Sequence, residues 1–376
     1  MALYAYFRWI VLVGKILGCF PMQNILTKNP FNLRYRVFSF DVLYSVTIHL
    51  VVVGTQYWKH GFQFCTDTRF QQLLEVLVLF MYIRTGFSFL FCIFRHVPKS
   101  IQLIRLLEIF AEQRERSLNL KKPGLSRKMI LCVSLFISVV LSGIYAVQSC
   151  HLIREIYSNT DDYWSAISFA FSCVWQITPP MYFVVFSSKI IYGFDEINQA
   201  LISKGYHASY CKEYEKILDD PDYLSRLRIL HNLLSEATHA LSVCYGGYVA
   251  VQKLFLIVAV VINISAYITS TRDPHLLVLT SIDIFYFTVM VNLSYSIIKK
   301  GAKVARLFQG IPLSTLSEKS RNEVQLWLLQ LSVHPVHVNA AGYFILDKTQ
   351  TFEVLSSIAT YLIVAVQLLE DQKTTV

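Results

Sequence analysis

Phe352-Glu353-Val354-Leu355-Ser356-Ser357-Ile358-Ala359-Thr360-Tyr361-Leu362-Ile363-Val364-Ala365-Val366-Gln367-Leu368-Leu369 is the stretch whose reading decides the fold. It is apolar enough to span a membrane as a helix, for which about 20 predominantly apolar residues suffice. Yet Ser356, Ser357, Thr360 and Gln367 sit at depths where lipid offers polar groups no partner. At about 100° per residue, Ser356, Thr360, Val364 and Gln367 share one stripe, while Leu355, Leu362 and Val366 point elsewhere. Two uses fit such a stripe: hydrogen bonding to neighbouring helices, or lining a wet pathway.

Composition places the remainder of the chain in the same solvent. Hydrophobic residues make up 54% and charged residues only 16% of 376 positions, too apolar a balance for an ordinary soluble domain. Seven membrane-length windows are expected, at 38–58, 72–94, 129–150, 163–187, 245–270, 276–298 and 349–369. Of the 34 Lys and Arg, 27 fall before the first window or in the even-numbered connections. Five fall in the odd-numbered connections and the tail, and Arg84 and Lys253 lie within windows. The basic side faces the cytoplasm. The sequence therefore predicts an all-α membrane protein of seven transmembrane helices, with a cytoplasmic N-terminus and an extracellular C-terminus. Receptors that couple to G proteins have the opposite orientation.

Seven segments follow. Residues 1–37 form a cytoplasmic segment with an interfacial amphipathic helix at 4–19, and 38–187 hold the first four spanning helices. A cytoplasmic helical connection occupies 188–244, helices five and six 245–298, and a cytoplasmic anchor segment 299–348. The seventh helix is 349–369 and an extracellular tail is 370–376. Outside the bilayer, Ile101, Ile104, Leu107 and Phe110 repeat at helical spacing, as do Leu224, Leu227, Leu230, Leu233 and Leu234. Val324, Trp327, Leu328 and Leu331 share another apolar face. Such faces need protein partners, most simply other copies of the chain.

The net charge of +9 is a product of topology and calls for anionic lipid, not nucleic acid. No enzyme is expected: there is no phosphate loop and no nucleophile elbow. His334-Pro335-Val336-His337 lacks further ligands for a metal, and no cofactor is implied. His231 and His239 read as a solvated helix face. Of eight cysteines only Cys65 and Cys150 are expected outside, where they could pair. The sequons at Asn263 and Asn292 lie within spanning helices and should carry no glycan. Pro179-Pro180 should kink the fourth helix.

Thr360-Tyr361, the apolar run Leu362 to Val366, then Gln367-Leu368 resembles the signature of insect gustatory receptors: Thr-Tyr, five hydrophobic residues, Gln-Phe. Ala341-Gly342-Tyr343-Phe344-Ile345-Leu346-Asp347 resembles the family's approach to that helix. Leu368 departs from the usual Phe. The resemblance implies a tastant-gated, non-selective cation channel of sensory-neuron plasma membranes, a homo- or hetero-tetramer held by a cytoplasmic anchor. Thr360, Val364, Gln367 and Leu368 would then line or close the pore. The tastant, a bitter plant compound or a sugar, would enter a cleft among helices two to six. Candidates there are Tyr82, Tyr145, Gln148, Trp164, Ser168, Trp175, Asn263, Asp283 and Tyr286. A secondary transporter of a small polar solute is the alternative, since Arg84, Lys253 and Asp283 within apolar helices would suit one.

Overall fold

A computed structural model describes residues 20–27, 29–59, 79–80, 83–118, 163–205, 220–269, 274–309 and 313–374. It also describes isolated positions at 8, 11, 12, 14–16, 18, 143 and 147. The described residues are almost entirely helical, without strands; only two isolated bridges occur, Gln23 with Arg34 and Asn339 with Ile345. In chain order the helices are α1 (Phe40–Lys59), α2 (Val97–Leu118), α3 (Tyr163–Gly205), α4 (Pro221–Thr269) and α5 (Pro274–Gly301). Then come α6 (Lys303–Gln309), α7 (Glu318–Val333) and α8 (Thr349–Thr374). Residues 83–91 run into α2 through a π-helical turn, Cys92–His96.

Polarity along a helix changes without breaking it. The expected connection 188–244 is mostly the continuation of two spanning helices: α3 runs 43 residues and α4 runs 49, each longer than a bilayer requires. Among the described residues, three helical stretches are long and apolar enough to cross a membrane, 221–265, 280–309 and 349–367. Pro179 and Pro180 lie inside α3, which continues through both. The last helix extends to Thr374, beyond the expected end at 369.

α4 is the hub. α2, α3, α5, α7 and α8 all pack on it, and α1 packs on α3. The helical spacing noted above carries the packing: Ile101, Ile104, Leu107 and Phe110 on α2 are buried, as are Leu224, Leu227, Leu230 and Leu234 on α4. Polar ties outside the membrane-length windows expected from the sequence then fix register. Arg114 donates to Glu196 at 3.0 Å, Lys300 to Asp195 at 2.5 Å, and Arg228 to Glu323 at 3.0 Å.

Three expectations change. The N-terminal segment turns apolar residues to protein as well as to any membrane surface. Val11 and Phe20 are buried, and the Phe20 ring lies 4.2 Å from that of Tyr182. The apolar face of α7 is covered by its own chain, with Val324 and Trp327 fully buried. Among its large apolar side chains, α7 leaves Leu326, Leu329 and Val333 exposed. His231 is not solvated: it is buried between Phe194 and Trp327, at 5.0 and 5.6 Å, and hydrogen-bonds the carbonyl of Gly301 at 3.1 Å. Burial lowers its pKa to about 4. A single His on an apolar stripe gave no sign of which way its helix would turn it.

Candidate functional site

The helix entering at residue 83 brings Arg84 into the bundle, where a guanidinium must find a carboxylate or be very costly. It finds Asp283 of α5: Nη1 donates to Oδ2 at 3.0 Å and Nη2 to Oδ1 at 2.8 Å. The side chains are 12% and 9% exposed. Two parallel bonds suit the planar guanidinium fork. The third side of the guanidinium is used as well, with Nε donating to Gln252 Oε1 of α4 at 3.0 Å.

A second layer joins this one through adjacent residues. Gln176 Nε2 of α3 donates to Thr85 Oγ1 at 2.7 Å, and the Tyr248 hydroxyl donates to the Gln176 carbonyl at 2.9 Å. Trp175 is buried against His49 and Phe89, with ring centroids 4.6 and 5.6 Å away. Farther along α4, Asn263 Nδ2 donates to Thr280 Oγ1 of α5 at 3.1 Å. Asn263 lies about 16 Å from Gln252 at 1.5 Å per residue. Gln252 Nε2 and Asn263 Oδ1 are buried without a hydrogen-bond partner among the described residues. Unsatisfied buried amide atoms are where a polar ligand gains most.

The structure thus brings together Asp283, Trp175 and their neighbours, and buries Tyr286 and Asn263 in the same bundle. Tyr82, Tyr145 and Gln148 lie outside the described residues. Trp164 and Ser168 belong to α3, with side chains outside those described. Gln252, Thr85, Tyr248 and Thr280 were not among the sequence candidates. Their signal was available, since each is a polar group within an apolar run, but partner choice is set by helix rotation.

α8 is covered on one side only. Val354 and Ile358 are buried, whereas Ser356, Thr360, Val364 and Gln367 are all exposed, together with Phe352, Tyr361 and Ile363. Thr360 Oγ1 donates to the Ser356 carbonyl at 2.9 Å and Ser357 Oγ to that of Glu353 at 2.8 Å, so these hydroxyls are satisfied within the helix. Leu368 lies in α8, its side chain outside those described. The Cys65–Cys150 pair also lies outside the described residues.

The base of α8 is tied to the bundle by the residue after Gln252. Lys253 Nζ donates to Gln350 Oε1 at 2.7 Å and to Glu353 Oε2 at 2.8 Å, and stands 4.7 Å from the Phe344 ring centroid. The approach to α8 is fixed by a tight turn: Ala341 and Gly342 have φ of 53° and 88°, and Tyr343 N donates to Ala340 O at 3.0 Å. Consecutive positive φ values define a type I′ turn. That turn lies against α4 at Gly246, where a Cβ would come within 2.5 Å of the Asn339 carbonyl oxygen. Among the described residues no group of three or more His, Cys, Asp or Glu could hold a metal.

Comparison with known proteins accords with this arrangement. A family profile described as 7tm chemosensory receptor matches residues 7–368. The fold is similar to that of the insect olfactory receptor OR5 from Machilis hrabei in complex with eugenol, with TM-score 0.73 and 14% identity over 97% of this chain and 99% of that one. It is likewise similar to a second structure of that receptor, with TM-score 0.71 and 14% identity over 98% and 99%. No curated protein sequence matches the chain. With the profile spanning nearly the whole sequence, the chain belongs to the 7tm chemosensory receptor family.

Proposed function

We propose that this receptor is a gustatory receptor: a ligand-gated, non-selective cation channel of sensory-neuron plasma membranes, opened by a small extracellular tastant. The carrying observation is the exposure of Ser356, Thr360, Val364 and Gln367 along one side of a helix otherwise apolar enough to span the bilayer. Polar groups facing hydrocarbon are unfavourable, so that side is better matched to water between subunits. Four copies around an axis would join four such stripes into a pore, with Leu368 as a dewetting constriction and Gln367 contacting partly hydrated cations. The exposed stripe Leu326, Leu329 and Val333 on α7 suits the intersubunit anchor, since large apolar side chains left exposed call for a protein partner.

For the ligand we assign the bundle around Trp175, Gln252, Asn263, Asp283 and Tyr286. An aromatic wall with a few convergent polar groups suits both sugars and alkaloids. The OR5 likeness supports the choice of a small molecule, since that receptor's structure holds eugenol. Patch-clamp recording from cells expressing this chain alone, with a panel of sugars and plant alkaloids, tests the reading. A ligand-evoked, reversible cation current is expected. Concentrative uptake of a solute without such a current would favour the secondary transporter instead.

A further inference from the structure

The basic end of the molecule holds a cleft that the proposed gating does not use. It has a volume of about 1050 Å³ and three walls: the start of α2, the α4 stretch 232–243 and the segment 333–342. Arg95, Lys99 and Gln102 line the first wall at helical spacing. Glu236 and His239 come from the second, and His334 and His337 from the third. Those six titratable groups are the ones facing the cleft, and only one is acidic.

Local backbone builds the site. The π-helical turn Cys92–His96 precedes α2 and carries Arg95, and such bulges are rare and concentrate at functional positions. Among the described residues, Arg95 Nε donates only to the Val243 carbonyl, at 3.2 Å. Lys99 makes no hydrogen bond or ion pair among the described residues, and Glu236 is engaged by Asn232 Nδ2 at 2.9 Å. The third wall is held in place by two close approaches. A Cβ on Gly246 would meet the Asn339 backbone, and one on Gly301 would come within 2.9 Å of Val336. Asn339 is held there as well, its backbone N–H donating to Ser242 Oγ at 3.1 Å.

Depth decides what fills the cleft. Ile83, Leu90 and Phe94 form an exposed apolar row that ends next to Arg95. On α4 the exposed Leu254 lies on the apolar side of the cleft, and Glu236 and His239 on the polar side. The cations therefore stand where acyl chains give way to headgroups, on the side that charge asymmetry assigns to the cytoplasm. We propose that this cleft binds the phosphorylated headgroup of an anionic inner-leaflet lipid. Arg95 and Lys99 would pair with its phosphates, and the imidazoles of His239, His334 and His337 would donate to its oxygens. The site rests on the inward orientation of this end, not on the channel reading. Because the third wall continues into α8, an occupant would brace the base of that helix.

Native mass spectrometry of the full-length protein in neutral detergent tests the claim, with a phosphatidylinositol phosphate and phosphatidylcholine as competing probes. Preferential retention of the phosphoinositide is expected, weakened about fivefold by Lys99→Gln, as for one charge near a membrane surface. Lys319→Gln, at an exposed position on α7 outside the cleft, should leave retention unchanged. Equal retention of both lipids, or no effect of Lys99→Gln, overturns the site. Binding of soluble inositol phosphate without retention of the lipid would assign the cleft to a free phosphate and overturn the lipid source. Cross-linking of Lys99 to another copy of the chain would assign it to a subunit contact. Labelling of a Lys99→Cys variant by an impermeant maleimide on intact cells, against the unmodified chain, would refute the orientation independently of any current.

Discussion

At the scale of single residues, the buried charges decide most. Arg84 and Asp283 neutralise each other with little access to solvent, and removing one leaves the other uncompensated. Breaking a buried pair in this way costs roughly 3–5 kcal/mol, so Asp283→Asn should sharply lower surface expression. Adding Arg84→Gln should restore it, as read by surface biotinylation. Normal expression of Asp283→Asn with lost ligand response would instead make Asp283 a ligand contact that the fold can spare. His231 gives a separate test by pH. Its pKa, near 6.5 in an unfolded chain, is lowered by burial to about 4, so between those values the unfolded state binds more protons. Stability should therefore fall as pH drops from 6.5 toward 4, by on the order of 3 kcal/mol from this group. His231→Gln keeps a donor for Gly301 and should show a smaller acid-induced loss of melting temperature. An unchanged loss would mean that other groups set the acid sensitivity.

At the scale of elements, the proposed link between binding and opening runs through α4. Gln252 holds Arg84, and the next residue, Lys253, holds the first turn of α8, so one turn of α4 touches both the proposed ligand bundle and the proposed pore helix. Lys253→Glu should raise the ligand concentration for half-opening by up to about fivefold, because a pair with a half-exposed carboxylate is worth at most about 1 kcal/mol. Combining it with Glu353→Lys should recover the wild-type value, and a single variant with unaltered dose response would remove this tie from gating. The helices themselves were largely legible in the sequence, because Ile101 through Phe110 and Leu224 through Leu234 repeat with the period of the face they bury. The ties between them were not. Arg84 is 168 residues from Gln252 and 199 from Asp283, and periodicity says that a helix has a face without saying what that face meets. The lengths of α3 and α4 escaped for a related reason: hydropathy falls where a helix leaves the bilayer, whereas its backbone hydrogen bonds continue.

For the whole molecule, one side of α8 is left exposed by the described residues, and in the proposed channel other subunits enclose that side. The stripe Ser356, Thr360, Val364 and Gln367 was visible from spacing alone; its exposure to the outside of the fold was not, because that depends on Val354 and Ile358 being the side that packs. The central claim is that Gln367 faces permeating cations near the outer end of a shared pore. Reversal potentials under mixed monovalent and divalent cations, recorded from the wild type and Gln367→Glu, test it most directly. Four added carboxylates should shift permeability toward divalent cations while ligand opening is preserved. Unchanged permeability ratios in Gln367→Glu channels that still open would take α8 out of the pore and contradict the account.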